Sequence, residues 1–195
     1  MYVKICGLRE AGQVDAAVEA GADAVGFVLT ASKRQVTPHE ARVLGEAVPP
    51  GVLTVAVFAG EAPEVVRAMA AEAGVRAVQL HGDHPHGDFL ALADLGVTLV
   101  RAVASHANLR CGAYGEELLI VDAPKPGSGE PWDWSGVRGR PSGKWMLAGG
   151  LDAGNVRRAI TEAQPWGVDV SSGVERDGRK DPDLIREFVA AARGG

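Results

Sequence analysis

Val3-Lys4-Ile5-Cys6-Gly7-Leu8 is a short apolar run that ends in a thiol and then a glycine. With period two, Val3 and Ile5 face one way, and Lys4 and Cys6 face the other. The run therefore reads as a strand over 3–6, with a cation and a thiol on one side and Cys6 at its C-terminal end. In a parallel barrel, that end is where a strand delivers a catalytic group.

Outward from this stretch the same unit recurs: strand, glycine or turn, helix. Further strands are predicted over 24–29, 53–58, 77–81, 98–103, 118–122, 144–148 and 167–171. Helices are predicted over 10–19, from the capping box Thr37-Pro38-His39-Glu40 to about 48, and over 63–73, 88–95 and 155–163. A last helix opens at Asp181-Pro182 and runs to about 192, and 134–138 reads as a single helical turn. The segment 107–115 has poor helical pattern and two glycines, so the fifth helix is expected to be short or absent. Eight such units in one stretch of 195 residues predict a single-domain (β/α)8 TIM barrel over 1–195. An open doubly wound sheet is the other α/β solution; the absence of G-x-G-x-x-G after the first strand counts against it.

The bulk properties narrow the setting. Hydrophobic content of 46% is ordinary for a soluble domain, and a net charge of −5 argues against nucleic acid or an anionic membrane as partner. Two cysteines far apart in sequence form no disulfide framework and suit a reducing cytoplasm. No signal peptide is read, and no apolar run approaches the ~20 residues of a membrane span. Monomer and homodimer both fit such a barrel.

The ends of the predicted strands carry the chemistry: Cys6, then Ser32-Lys33-Arg34, His81, Asp122, Gly149-Gly150, and Asp169 with Ser171-Ser172-Gly173. By type alone Cys6 is a small buried apolar residue. Its place at a strand end beside Lys4 favours the reactive thiolate, since a same-face ammonium stabilises that form. Asp122 ends the apolar run Leu118-Leu119-Ile120-Val121. It either caps the next turn or acts as a general acid, its pKa raised by apolar neighbours. His81 shares a face with Gln79 and reads equally as a structural histidine or a ligand contact. Arg34 is either a solvated charge or a two-pronged clamp for a carboxylate.

Gly149-Gly150 after the seventh strand and Ser171-Ser172-Gly173 after the eighth fall where barrels bind phosphate, and phosphate is favoured over plain tight turns. Gly127-Ser128-Gly129, in the loop 124–133, reads as a mobile lid or a surface loop. His84 and His86 have no partners at ligand spacing, so no metal site is expected. Cys111 reads as structural, and Trp132 and Trp134 as packing at the lid base or the barrel exterior.

Together these motifs resemble the phosphoribosylanthranilate isomerase family of tryptophan biosynthesis. The resembling stretches are Lys4-Ile5-Cys6-Gly7-Leu8, Gly21-Ala22-Asp23-Ala24-Val25-Gly26-Phe27, Ser32-Lys33-Arg34, Val78-Gln79-Leu80-His81-Gly82, and Gly127-Ser128-Gly129 with Asp133-Trp134. Leu147-Ala148-Gly149-Gly150-Leu151 with Asn155-Val156, and Val168-Asp169-Val170-Ser171-Ser172-Gly173-Val174-Glu175, complete the set. They run in order along nearly the whole chain; 104–116 matches poorly. The resemblance implies a (β/α)8 barrel and a cofactor-free Amadori rearrangement. N-(5-phosphoribosyl)anthranilate becomes 1-(2-carboxyphenylamino)-1-deoxyribulose 5-phosphate. It implies that Cys6 is the general base, Asp122 the general acid, and Arg34 the residue facing the anthranilate, with His81 and Asp169 lining the pocket. Two other readings compete. One is another phosphosugar-barrel isomerase, such as the bifunctional relative that also serves histidine biosynthesis, which has aspartate in place of Cys6. The other is a non-catalytic barrel that binds a phosphorylated metabolite.

Overall fold

The computed structural model describes residues 1–125 and 131–194. Eight strands close a parallel barrel in sequence order: β1 Tyr2–Cys6, β2 Ala24–Val28, β3 Leu53–Phe58, β4 Ala77–His81, β5 Thr98–Ala104, β6 Leu118–Asp122, β7 Trp145–Leu147 and β8 Gly167–Val170. The predicted strands stand with ends shifted by at most a residue or so, and the closed sheet excludes the open doubly wound alternative. No helix among the described residues is long and apolar enough to cross a membrane.

Helices α1 Ala11–Glu19, α2 Pro38–Glu46, α3 Pro63–Ala73, α4 His86–Leu92, α5 Val156–Ala163 and α6 Pro182–Arg193 pack outside the barrel. Local chemistry sets the starts of α2 and α6. The Thr37 hydroxyl accepts from the Glu40 N–H at 3.2 Å, and Glu40 accepts from the Thr37 N–H at 2.7 Å, a reciprocal cap followed by proline at the first helical position. The Asp181 carboxylate accepts from the N–H groups of Asp183 and Leu184, and opens α6 in the same way.

No helix forms between β5 and β6. Arg101 explains the gap. It lies on the outward face of β5, where a helix would otherwise pack, and is 2% exposed. Its Nε donates to Glu116 at 2.7 Å, and its Nη atoms donate to the carbonyls of Asn108 and Arg110 at 2.9 Å each. The Tyr114 ring lies 4.8 Å from the guanidinium. A buried ion pair, two backbone acceptors and a stacked ring thus fold 105–117 around one cation in place of a helix. Cys111 belongs to this segment, and its N–H donates to the Ser142 carbonyl.

The core has two shells. Val3, Ile5, Val25, Phe27, Val78, Leu80, Leu119 and Val121 point outward against the helices. Cys6, Ala24, Val55, Val57, Val100, Ala102, Ile120, Met146 and Ala148 fill the barrel. The strand registers show how the interior is stacked. Following the pairs from Cys6 to Gly26, Val55, Ala77 and Thr98 and on around the sheet returns to β1 eight residues lower, the shear of this barrel class. Side chains from alternate strands therefore share levels. Cys6, Val57, Ala102 and Ala148 form one layer. Gly26, Gln79, Ile120 and Asp169 lie beneath it, and Lys4, Val55, Val100 and Met146 beneath that. Above the Cys6 layer, at the mouth, stand Val28, His81, Asp122 and Ser171.

Candidate active site

The C-terminal mouth holds a cleft of about 480 Å³ lined by Arg34, Asp122, Gly149, Gly150, Asp169, Ser171 and Ser172, among others. Most of the predicted site residues are thus brought to one wall. Cys6 lies a layer below Asp122 and is 7% exposed. His81 stands at the mouth, with its Nε2 3.8 Å from Asp122 Oδ2. Gly127, Ser128 and Gly129, read as a lid, lie outside the described residues. At the base of that loop Trp132 Nε1 donates to the Ala148 carbonyl at 3.1 Å, and Trp134 is fully buried under the Arg158 guanidinium.

Asp122 ends β6 among apolar residues. Burial raises its carboxyl above the usual aspartate value; the Ala123 N–H, donating to Oδ1 at 2.7 Å, and nearby His81 offset this only in part. The direction of this shift is the one expected from the apolar run before Asp122.

Cys6 differs from expectation. Lys4 does share its face, but the ammonium donates to Asp169 Oδ1 at 2.8 Å inside the barrel. Burial pushes the Cys6 thiol up, and the lowering influence of Lys4 is countered by the Asp169 charge. In the free protein the thiol is therefore harder to ionise than an ordinary cysteine. Burial alone would lower the Lys4 pKa, but the paired Asp169 carboxylate outweighs it and holds the ammonium proton more firmly than usual.

Gly26 makes room for this cluster. Paired with Cys6 in the sheet, it would bring an added Cβ to 2.9 Å from Cys6 Sγ and 3.4 Å from Lys4 Cε. It occurs in the quoted motifs, but its spatial role depends on register.

The two loops read as a phosphate site meet one another. Gly149 and Gly150 both have positive φ, +85° and +65°, which only glycine adopts in succession without strain. A Cβ on Gly149 would come 2.7 Å from Asp122 Oδ1, and one on Gly173 would overlap the Leu151 carbonyl oxygen. The absence of two side chains thus lets the β7 loop touch the acid on one side and the β8 loop on the other. Asn155 ties the β7 loop to α5, its Nδ2 donating to the Gly150 carbonyl at 2.8 Å.

Arg34 is neither a solvated charge nor free. Its Nε and Nη2 donate to the two oxygens of Glu175 at 2.5 and 3.0 Å. Lys180 Nζ donates to the same carboxylate at 2.8 Å and to the Ser171 carbonyl at 2.7 Å. Glu175 and Lys180 come from a hairpin that the sequence did not reveal, β9 Glu175–Arg176 and β10 Arg179–Lys180. Strands of two residues carry no periodic signal. His84, considered above for a metal, is held structurally, its Nδ1 2.8 Å from Asp88 and its Nε2 accepting from the Gly60 N–H.

Fold and cleft define a class: a (β/α)8 barrel with titratable groups and two glycine-lined loops at its C-terminal mouth. The sequence pattern of N-(5'-phosphoribosyl)anthranilate (PRA) isomerase matches residues 3–191. The N-(5'-phosphoribosyl)anthranilate isomerase of Bacillus cereus strain B4264 is 38% identical, over 99% of this chain and 98% of its own. The crystal structure of TrpF from Jonesia denitrificans superposes with a TM-score of 0.90 at 46% identity, covering 100% of this chain and 97% of that one. A phosphoribosylanthranilate isomerase crystallised with reduced 1-(o-carboxyphenylamino)-1-deoxyribulose 5-phosphate superposes with a TM-score of 0.86 at 37% identity, covering 100% of both chains. The chain belongs to the N-(5'-phosphoribosyl)anthranilate isomerase family.

Proposed function

We propose that this chain catalyses the Amadori rearrangement of N-(5-phosphoribosyl)anthranilate to 1-(2-carboxyphenylamino)-1-deoxyribulose 5-phosphate, the isomerase step of tryptophan biosynthesis, in the cytoplasm. The observation that carries the reading is the position of Asp122. A carboxyl whose pKa is raised by burial faces the cleft, lies against the Gly149 loop, and stands one layer above the Cys6 thiol.

The steps balance with these two groups. Asp122 gives its proton to the ribose ring oxygen as the aryl amine nitrogen pushes the ring open, leaving a cationic iminium. Cys6, as the thiolate left when its own proton is lost to solvent on substrate binding, takes the proton from the adjacent carbon, and the electron pair neutralises the iminium to an enolamine. Return of the Cys6 proton to the first carbon, with loss of the enol proton to Asp122, gives the ketone and restores both groups. The iminium also answers the raised thiol pKa. Its positive charge stabilises a neighbouring thiolate and acidifies the adjacent C–H in the same step. Gly149, Gly150, Ser171, Ser172 and Gly173 hold the phosphate, Arg34 the anthranilate carboxylate, and His81 and Asp169 the polar flank of the sugar.

The test is turnover by the purified protein, followed by the loss of phosphoribosylanthranilate fluorescence. Conversion that saturates with substrate and is competed by inorganic phosphate supports the reading. A folded protein that binds the substrate without consuming it overturns it in favour of a non-catalytic barrel.

A further inference from the structure

We propose that Glu175 is a positioning residue. Held on the β9–β10 hairpin, it aims the Arg34 guanidinium at the cleft and so governs how the chain handles its substrate's carboxylate. The inference rests on the functional reading above and adds to it a residue that touches no substrate atom.

The geometry supplies the argument. Arg34 follows β2 in a polar loop, and a long side chain there has many rotamers. Glu175 removes that freedom by accepting from Nε and Nη2 together, a two-pronged grip that fixes the plane of the guanidinium. The grip occupies one edge of the fork. The donors on Nη1, and the second on Nη2, lie on the other edge, and Arg34 is part of the cleft wall. That free edge has the spacing to take a second carboxylate bidentately.

Glu175 is itself fixed. Its side chain is 7% exposed, and Lys180, 1% exposed, donates at 2.8 Å to the same oxygen that accepts from Arg34 Nε. Lys180 also binds the Ser171 carbonyl and hydroxyl, and that hydroxyl donates to the Cys6 carbonyl at 3.2 Å. The carboxylate clamp, the β8 loop and the end of the thiol-bearing strand are thus joined through one acid. Burial alone would raise the Glu175 carboxyl; the hydrogen bonds from Arg34 and Lys180 outweigh it and bring the pKa down to about 2. Glu175 therefore stays charged at every working pH.

Glu175→Gln keeps one acceptor but turns an amide donor toward the Arg34 fork, which breaks the two-pronged grip. Immobilising a long side chain costs about 3–10-fold in affinity. The variant should therefore raise KM for phosphoribosylanthranilate by about that factor and leave kcat within ~3-fold of wild type. A purely structural role would change KM and kcat together, for substrates with and without the carboxylate, or change neither. The rise should be absent for the analogue made from aniline, which lacks the carboxylate. In a double-mutant cycle, Arg34→Ala with Glu175→Gln should be no worse in KM than Arg34→Ala alone. Glu175→Asp keeps the charge for Lys180 but shortens the reach; it carries the same cycle if the Gln variant does not fold.

Additive losses in the cycle, or an equal rise in KM for the aniline analogue, overturn the inference while wild-type turnover leaves the functional reading in place. A wild-type protein without turnover overturns both.

Discussion

Gly26→Ala perturbs the proposed base by a single methyl group that touches no substrate. Gly26 lies in β2 with an ordinary strand φ, so alanine meets no backbone strain there. The cost is spatial. The new Cβ would sit 2.9 Å from Cys6 Sγ, 3.3 Å from Cys6 Cα and 3.4 Å from Lys4 Cε. The Cys6 backbone is fixed by its pairing with β2 and β8, so the sulfur must swing aside or β2 must move out. Overpacking of this kind costs about 1–3 kcal/mol. For a chain of this size that lowers Tm by roughly 2–10 °C. A shift of ~1 Å in a reacting group costs ~100-fold in rate, so a shift of several tenths should lower kcat by roughly 10-fold. KM should change little. Steady-state kinetics and thermal melts by circular dichroism measure both effects. The Cys6→Ala background supplies the control: with the sulfur gone the nearest clash is gone, and the Tm penalty of Gly26→Ala should shrink. Unchanged kcat and Tm in Gly26→Ala would refute the placement of the sulfur against Gly26, and with it the layered account of the barrel interior.

Two further predictions concern titration. Burial raises the Cys6 thiol above its ordinary 9.0, so its alkylation by iodoacetamide in the free protein should speed up with pH through a midpoint above 9.0; a midpoint below that value would show that Lys4 outweighs burial. Glu175 is lowered from 4.5 to about 2, so its contribution to stability is complete above pH 4.5 and disappears as pH falls from 4.5 through 2. That contribution is about 2 kcal/mol after allowance for screening at the cleft edge. Urea melts of wild type and Glu175→Gln over that range should converge at low pH, and a constant gap between them would contradict the assignment.

The barrel was legible because its strands are apolar runs punctuated by Gly, Pro and helix caps, a signal local to each unit. Thr37-Pro38-His39-Glu40 and Asp181-Pro182 announce their helices by chemistry within four residues. The strand ends Cys6, Asp122 and Asp169 were legible for the same reason, since period two puts them inside the barrel. What local pattern could not supply was partnership at a distance. Lys4 beside Cys6 suggests a lowered thiol, but its ion-pair partner Asp169 lies 165 residues away and takes up the ammonium. Arg34 looks like a free clamp until Glu175, 141 residues on, is seen to hold it. The missing helix before β6 was read from its glycines, but its cause, the buried Arg101–Glu116 pair, depends on packing outside β5.

The central claim is that Cys6 is the base of an acid–base isomerisation. The most direct measurement is kcat for phosphoribosylanthranilate with folded Cys6→Ala against wild type. General base catalysis is typically worth ~10²–10⁴ in rate, so kcat should fall by about that range while KM stays close to wild type. A Cys6→Ala variant that keeps kcat within ~3-fold of wild type, a loss far smaller than that range, would contradict the account.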